Sequence, residues 1–190
     1  MKIKTIFFHL GTTVSATSIC AHEANIPIFC TGGIGGVHRD FIDTLDVSAD
    51  LQELARTPVA VVSSGVKSIL DIEKTLEYLE TMGVCVITLE ENGLTDFPSF
   101  FTSKSGSQSP FNCKSEREVA QLIQANIRTG FNAGLLVGVP IPSEHAADKS
   151  LIDNAIREAL SELKVQGIKG KRVTPFLLEK INRITKGKFF

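Results

Sequence analysis

Residues 59–89 read VAVVSSGVKSILDIEKTLEYLETMGVCVITL. An apolar, β-branched run at 59–64 breaks at a Ser-Ser-Gly turn. From 68 to 82 the apolar residues fall at 69, 72, 76 and 79, a helical spacing, and the pattern stops at Gly83, which suits a helix C-terminus. A second apolar run, VCVITL, fills 84–89. The order is strand, helix, strand. Both runs are short and apolar throughout, as strands covered on both faces are.

The same alternation continues outward. Upstream, IPIFCT at 26–31 reads as a strand, preceded by a helical pattern from about Thr12, and 47–55 reads as a short helix. Downstream, 115–129 opens with Ser115 and Glu118 at capping-box spacing. AGLLVGV at 133–139 is a fourth strand, and 148–166 is a long helix closed by Gly167. Thr174-Pro175 offers an N-cap and an N1 proline for a last helix through about Lys186. The pattern predicts an α/β fold, a layered αβα domain around a mostly parallel or mixed sheet. Segment 92–114 has no period and is rich in Ser, Phe, Gly and Pro, so a substrate-facing loop is expected there.

The chain has 190 residues, 43% hydrophobic and 22% charged, with a formal net charge of −1. That length suits one domain spanning 1–190. The charge argues against nucleic-acid binding, which usually needs a basic surplus. No apolar run reaches the ~18 residues of a membrane span. The start, MKIKTIFFH, lacks the long apolar core and small-residue cleavage site of a signal peptide. Cys20, Cys30, Cys85 and Cys113 form no C-x-x-C pair. The first three have apolar sequence neighbours and read as small core residues, reduced in a cytoplasmic protein.

Three motifs bear on chemistry. TGGIGGVHR at 31–39 holds four glycines, at 32, 33, 35 and 36, directly after a strand, where ligand loops sit in open α/β sheets. It is not a dinucleotide fingerprint, because His38 stands where the third glycine belongs, and no G-K-[ST] follows to make a P-loop. Ligand approach and plain turn geometry both explain it. Lys67 stands at a strand-to-helix junction beside Ser68, read as the N-cap. A helix start disfavours a cation and so favours the neutral amine that an imine-forming lysine needs. The plain alternative is a lysine pointing to water. Asp46 and Asp50, four apart around Ser48, suit a hard divalent cation or a polyol, or simply acids at a helix start. His9, His22 and His145 share no ligand spacing.

Taken together, TGGIGGVHR, DVSADLQELARTPVAVVSSGVKSILD, SILDIEKTLEYLETMGV and GIKGKRVTPFLL resemble the pseudouridine-5′-phosphate glycosidase (pseudouridylate synthase) family, from about Gly11 to about Thr185. That family reversibly cleaves the C–C glycosidic bond of pseudouridine 5′-phosphate to uracil and ribose 5-phosphate, and forms trimers. The resemblance implies that Lys67 forms an imine with C1′ of the opened ribose. It implies that Asp46 holds a divalent metal, typically Mn²⁺, and that Val14, Ser48, Ala49 and Asp50 contact substrate. A C-glycoside has no leaving heteroatom to protonate; an imine supplies the electron-poor carbon instead.

The sequence also departs from the family. An A-L-E-S-T-I-type segment carrying the acid/base Glu, a K-V-S-R-R-D-L-P-type segment carrying a substrate lysine, and an Asn-rich C-terminal segment have no counterpart in these 190 residues. The expectation is a partial domain, incomplete at the N-terminus, with an open sheet edge and an exposed apolar face. Its function is then either glycosidase chemistry or that of an impaired remnant, which binds sugar phosphate or assembles with full-length subunits. Some family members are fused to a sugar kinase, but no kinase motif of G-A-G-D type occurs here.

Overall fold

The computed structural model describes residues 12–187, so the opening MKIKTIFFH lies outside it. Among the described residues are five strands: β1 (Ile28–Thr31), β2 (Ala60–Ser63), β3 (Cys85–Leu89), β4 (Phe111–Cys113) and β5 (Leu135–Gly138). They form one sheet in the order β1-β2-β5-β3-β4, and every pairing is parallel. The four runs read as strands from the sequence are therefore strands, and the sheet is wholly parallel rather than mixed. Parallel neighbours need long crossovers, which the helices supply. These are α1 (Val14–Glu23), α2 (Phe41–Thr44), α3 (Ala49–Leu54), α4 (Ile72–Thr81), α5 (Glu116–Thr129), α6 (Lys149–Val165) and α7 (Val173–Ile184).

The strands sort their side chains onto two faces. Val61, Val86 and Leu136 face a large core with Leu51 and Leu54 of α3, Leu79 of α4, Ile152 and Ile156 of α6, and Leu177 and Ile181 of α7. Ala60, Ile87, Leu135 and Val137 face a smaller core with Cys113 and with Val119 and Ile123 of α5. Helices thus flank the sheet as expected. The strand β1 lies at the edge, where Ile28 is 42% exposed and nearby Ile26 49% exposed.

Most helix starts follow side-chain caps. Ser48, Ser115 and Asp148 each accept a backbone N–H from the first turn of their helices, and of these Ser115 was the cap the sequence suggested. Two starts differ. Helix α4 begins at Ile72 with Asp71 as its cap, so Lys67 and Ser68 belong to the turn before it. The competition was decided by Asp71, whose carboxylate accepts the Lys74 N–H. Helix α7 begins at Val173, continuing a short 3₁₀ turn at Gly170–Arg172, so Thr174 lies inside the helix and caps nothing.

Segment 92–114 is not all loop, since it ends in β4. Asn112 ties that short strand down by donating to the carbonyls of Thr88, Glu90 and Leu94 at 2.9–3.1 Å. Cys20 and Cys30 are exposed, against expectation, because α1 and β1 bury only part of their surfaces; Cys113 is buried and Cys85 half-buried.

Candidate active site

Parallel strands deliver their outgoing loops to one end of the sheet, where ligands bind in open α/β folds. The segments leaving β1 and β2 stay paired beyond the strands. Ser64 N donates to Gly32 O at 2.9 Å, Ile34 N to Gly65 O at 3.0 Å, and Lys67 N to Ile34 O at 3.1 Å. Lys67 is thereby set across from the centre of the glycine cluster.

A cavity of about 610 Å³ opens here, walled by the starts of α1 and α3, the glycine segment and the Lys67 turn. Val14, Ser48, Asp50, Lys67, Gly33, Gly35 and Gly36 all line it. Ala49 does not; it is exposed at the first position of α3. Lys67 is half-buried, and among the described residues no carboxylate forms an ion pair with it. The helix-start field expected to act on Lys67 belongs instead to Ile72 and the residues after it.

Asp50 is 6% exposed, a depth at which a carboxylate needs partners. It has two. One oxygen accepts the Ser15 N–H at 2.9 Å, and the other accepts the Gly35 N–H at 2.8 Å. The first bond places the negative charge at the first turn of α1, where the helix dipole favours it. A single side chain thus joins α1, α3 and the glycine segment into one wall.

The glycines answer to close packing rather than to left-handed backbone, since none of Gly32, Gly33, Gly35 and Gly36 has a positive φ. A Cβ on Gly35 would stand 2.1 Å from Ser48 Oγ and 2.8 Å from Asp50 Oδ2. One on Gly36 would stand 2.5 Å from Thr75 Oγ1, the hydroxyl that accepts the Val37 N–H at 2.9 Å. One on Gly33 would meet the Phe100 ring at 2.7 Å.

Asp46 faces elsewhere. It lines a neighbouring cavity of about 1110 Å³ with Asp40, Asp43 and Lys164. His38 and Thr174 line both cavities and mark where they adjoin. His38 Nε2 lies 3.8 Å from Asp46 Oδ2, and the His38 N–H donates to the Asp46 carbonyl at 3.1 Å. Among the described residues no three His, Cys, Asp or Glu side chains converge on a common ion position. Asp46 alone fits only an ion that keeps most of its water, as small hard cations do.

Several wall residues gave no sequence signal. Thr12, Thr13 and Thr17 line the Lys67 cavity around the start of α1. His38 lies between the cavities, and Arg39 reaches back to the Lys67 turn.

The profile of the indigoidine synthase A-like protein family matches residues 6–190. A pseudouridine-5′-phosphate glycosidase of Caldanaerobacter subterraneus subsp. tengcongensis is 52% identical over 178 residues, which are 94% of this chain and 57% of that protein. One of Arabidopsis thaliana is 48% identical over 177 residues, covering 93% of this chain and 53% of that protein. The chain therefore spans little more than half the length of these curated relatives. Among solved structures, the prealnumycin C-glycosynthase AlnA in complex with ribulose 5-phosphate superposes with a TM-score of 0.85 at 36% identity, over 93% of this chain and 57% of that one. An indigoidine synthase A-like protein of Thermotoga maritima gives 0.81 at 36% identity, over 93% and 56%. The match across nearly the whole sequence, on a superposable all-parallel sheet, places this chain in the indigoidine synthase A-like family, the family of its pseudouridine-5′-phosphate glycosidase relatives.

Proposed function

We propose that this chain carries the imine-forming part of a pseudouridine 5′-phosphate glycosidase site, with Lys67 as the nucleophile. The observation that carries the reading is the placement of Lys67: half-buried, without an ion-pair partner among the described residues, in a cavity shared with Asp50, Ser48 and Val14. An amine that no carboxylate holds in an ion pair is free to reach a carbonyl carbon in the cavity. A relative that binds ribulose 5-phosphate supports a pentose phosphate as the ligand class.

In the synthetic direction, Lys67 Nζ adds to the aldehyde carbon of open ribose 5-phosphate and water leaves, giving a protonated imine. Carbon 5 of uracil attacks that carbon and loses its proton, and the sugar 4-hydroxyl then closes the ring and releases the amine. Cleavage runs the same steps backward, so uracil and ribose 5-phosphate are its products. Threonine side chains and the glycine backbone in the wall offer donors to phosphate oxygens. A divalent ion such as Mn²⁺ belongs to this reading at Asp46, largely hydrated, where it would offset phosphate charge. Assembly as a homotrimer in the cytoplasm completes it; the four cysteines are all unpaired, as a reducing compartment requires.

A second reading, a sugar-phosphate-binding subunit that assembles with longer relatives, draws on the exposed β1 edge, with Ile28 in the strand and Ile26 just before it. Borohydride trapping tests the first step of the catalytic reading. With ribose 5-phosphate, mass spectrometry should find a secondary amine at Lys67, and Lys67→Arg should remove it. An unmodified Lys67 in a folded sample would overturn the nucleophile assignment. Release of uracil from pseudouridine 5′-phosphate, measured separately, divides the two readings.

A further inference from the structure

The turn that presents Lys67 is a four-residue one, closed by the Leu70 N–H donating to the Lys67 carbonyl at 2.9 Å. Its two inner residues, Ser68 and Ile69, are 4% and 2% exposed. Among the described residues no backbone N–H reaches the carbonyl of either. Buried carbonyls in that condition need a donor from elsewhere.

Arg39 supplies it to both. Its Nε donates to the Ile69 carbonyl at 3.2 Å and one terminal nitrogen donates to the Ser68 carbonyl at 3.0 Å. Two donors from one rigid guanidinium fix a plane as well as a distance, which a lysine ammonium cannot do. The turn and the residue after it are tied at two further points. Ser68 Oγ donates to the Ser99 carbonyl, and the Asp71 N–H donates to the Val37 carbonyl at 2.9 Å. Arg39 itself does not line the Lys67 cavity, whereas its neighbour His38 does.

We infer that Arg39 is a positioning residue for Lys67: its guanidinium holds the turn that aims the amine into the cavity, without touching substrate. The inference rests on Lys67 being the imine-forming residue. The guanidinium also links the two loops of the site, because Arg39 ends the glycine segment, three residues past Gly36, and its targets Ser68 and Ile69 come immediately after Lys67. A shift of about 1 Å at a reacting atom can cost on the order of a hundredfold in rate.

The test measures the borohydride-trapping rate of Lys67 against ribose 5-phosphate concentration in the wild-type chain, Arg39→Ala and Arg39→Lys. The expected result for Arg39→Ala is a maximal rate roughly ten- to a hundredfold lower with the half-saturating concentration unchanged. Arg39→Lys should fall between, and guanidinium ion well below denaturing concentrations should restore part of the Arg39→Ala rate. Equal maximal rates would overturn the inference. So would a raised half-saturating concentration at an unchanged maximal rate, which would make Arg39 a phosphate ligand instead. Amide hydrogen exchange provides a second arm without ligand: Arg39→Ala should speed exchange at residues 67–71 and leave β5 protected. Unchanged exchange there would also overturn it. If the wild-type chain itself is not trapped, the Lys67 assignment fails, while the exchange arm still decides whether Arg39 holds the turn.

Discussion

On one side of His38 lies the cavity of about 610 Å³ that holds Lys67; on the other lies the cavity of about 1110 Å³ that holds Asp46. The first has walls cross-tied by buried polar groups. Asp50 bonds to α1 and to the glycine segment, Thr75 bonds to the glycine segment again at Val37, and glycines allow contacts that no side chain would tolerate. The second is walled in part by the four-residue α2, which ends at Leu45 in a left-handed conformation with φ 54°. There Ile42 is 82% exposed and Leu45 73% exposed. The contrast teaches where preorganisation resides. Groups whose hydrogen bonds are made within the protein keep their geometry before a ligand arrives, and groups facing water do not.

Gly35→Ala should break this contrast most severely. The new methyl would overlap Ser48, whose Cβ lies 2.6 Å from its position, so the wall must open. Overpacking of this kind costs about 1–3 kcal/mol. Thermal unfolding should show the loss, and trapping at Lys67 should fall with it.

Asp50→Asn and Asp46→Asn sharpen the contrast as a pair. The first replaces a charged acceptor of two buried N–H groups and puts an amide donor against one of them. It should cost about 1.5–3 kcal/mol in chemical denaturation. Asp46 is 41% exposed on its side chain, and its loss should change stability by less than about 0.5 kcal/mol. Equal effects from the two would mean that the cavities are built alike.

Thiol alkylation gives a graded readout without mutation. Cys20 and Cys30 are exposed and should react first. Burial pushes the Cys113 thiol up, and the nearby Glu118 carboxylate adds to this, so Cys113 should react last. Ribose 5-phosphate should protect Cys30, which lines the Lys67 cavity, and leave Cys20 unprotected. No protection of Cys30, or equal protection of both thiols, would detach the ligand from this cavity.

The smallest effect concerns the far end of α3. Burial pushes the Glu53 carboxyl up, but hydrogen bonds from Arg56 and Thr57 and the Arg56 charge outweigh it and hold the pKa below its ordinary 4.5. A lowered folded-state value means the stabilisation is present above about pH 4.5 and is lost as pH falls through the lowered value. Glu53→Gln should flatten that acid limb in melting measured against pH. An unchanged limb would show that α3 is anchored by packing alone.

The central strands were legible because β2, β3 and β5 are apolar on both faces, and the cap Ser115 because Glu118 follows it at capping-box spacing. Strand β4 was not legible. Its three residues sit in a polar stretch, and what pairs them is the amide of Asn112 reaching three carbonyls far off in sequence. Cysteine burial was misjudged because apolar neighbours along the chain do not tell the outer side of an edge strand, where Cys30 lies, or of a surface helix, where Cys20 lies. The Lys67 cavity was foreseeable from loops following strands. The separation of Asp46 from it was not, since it depends on how α2 turns the chain between His38 and Asp46.

The strand order bears on how the chain reaches its native state. Strand β5 lies between β2 and β3, though it is made after both, so neither can complete its pairing until residues 135–138 arrive. On a ribosome, β1 with β2 and β3 with β4 can form only as two separate pairs, each presenting an unsatisfied inner edge. Such non-local pairing is slow to form. The last strand inserted is also the one buried along its whole length, so the final step closes both edges at once. Nascent chains halted before residue 135 should bind chaperones that recognise apolar segments, and those released beyond the end of α6 should not.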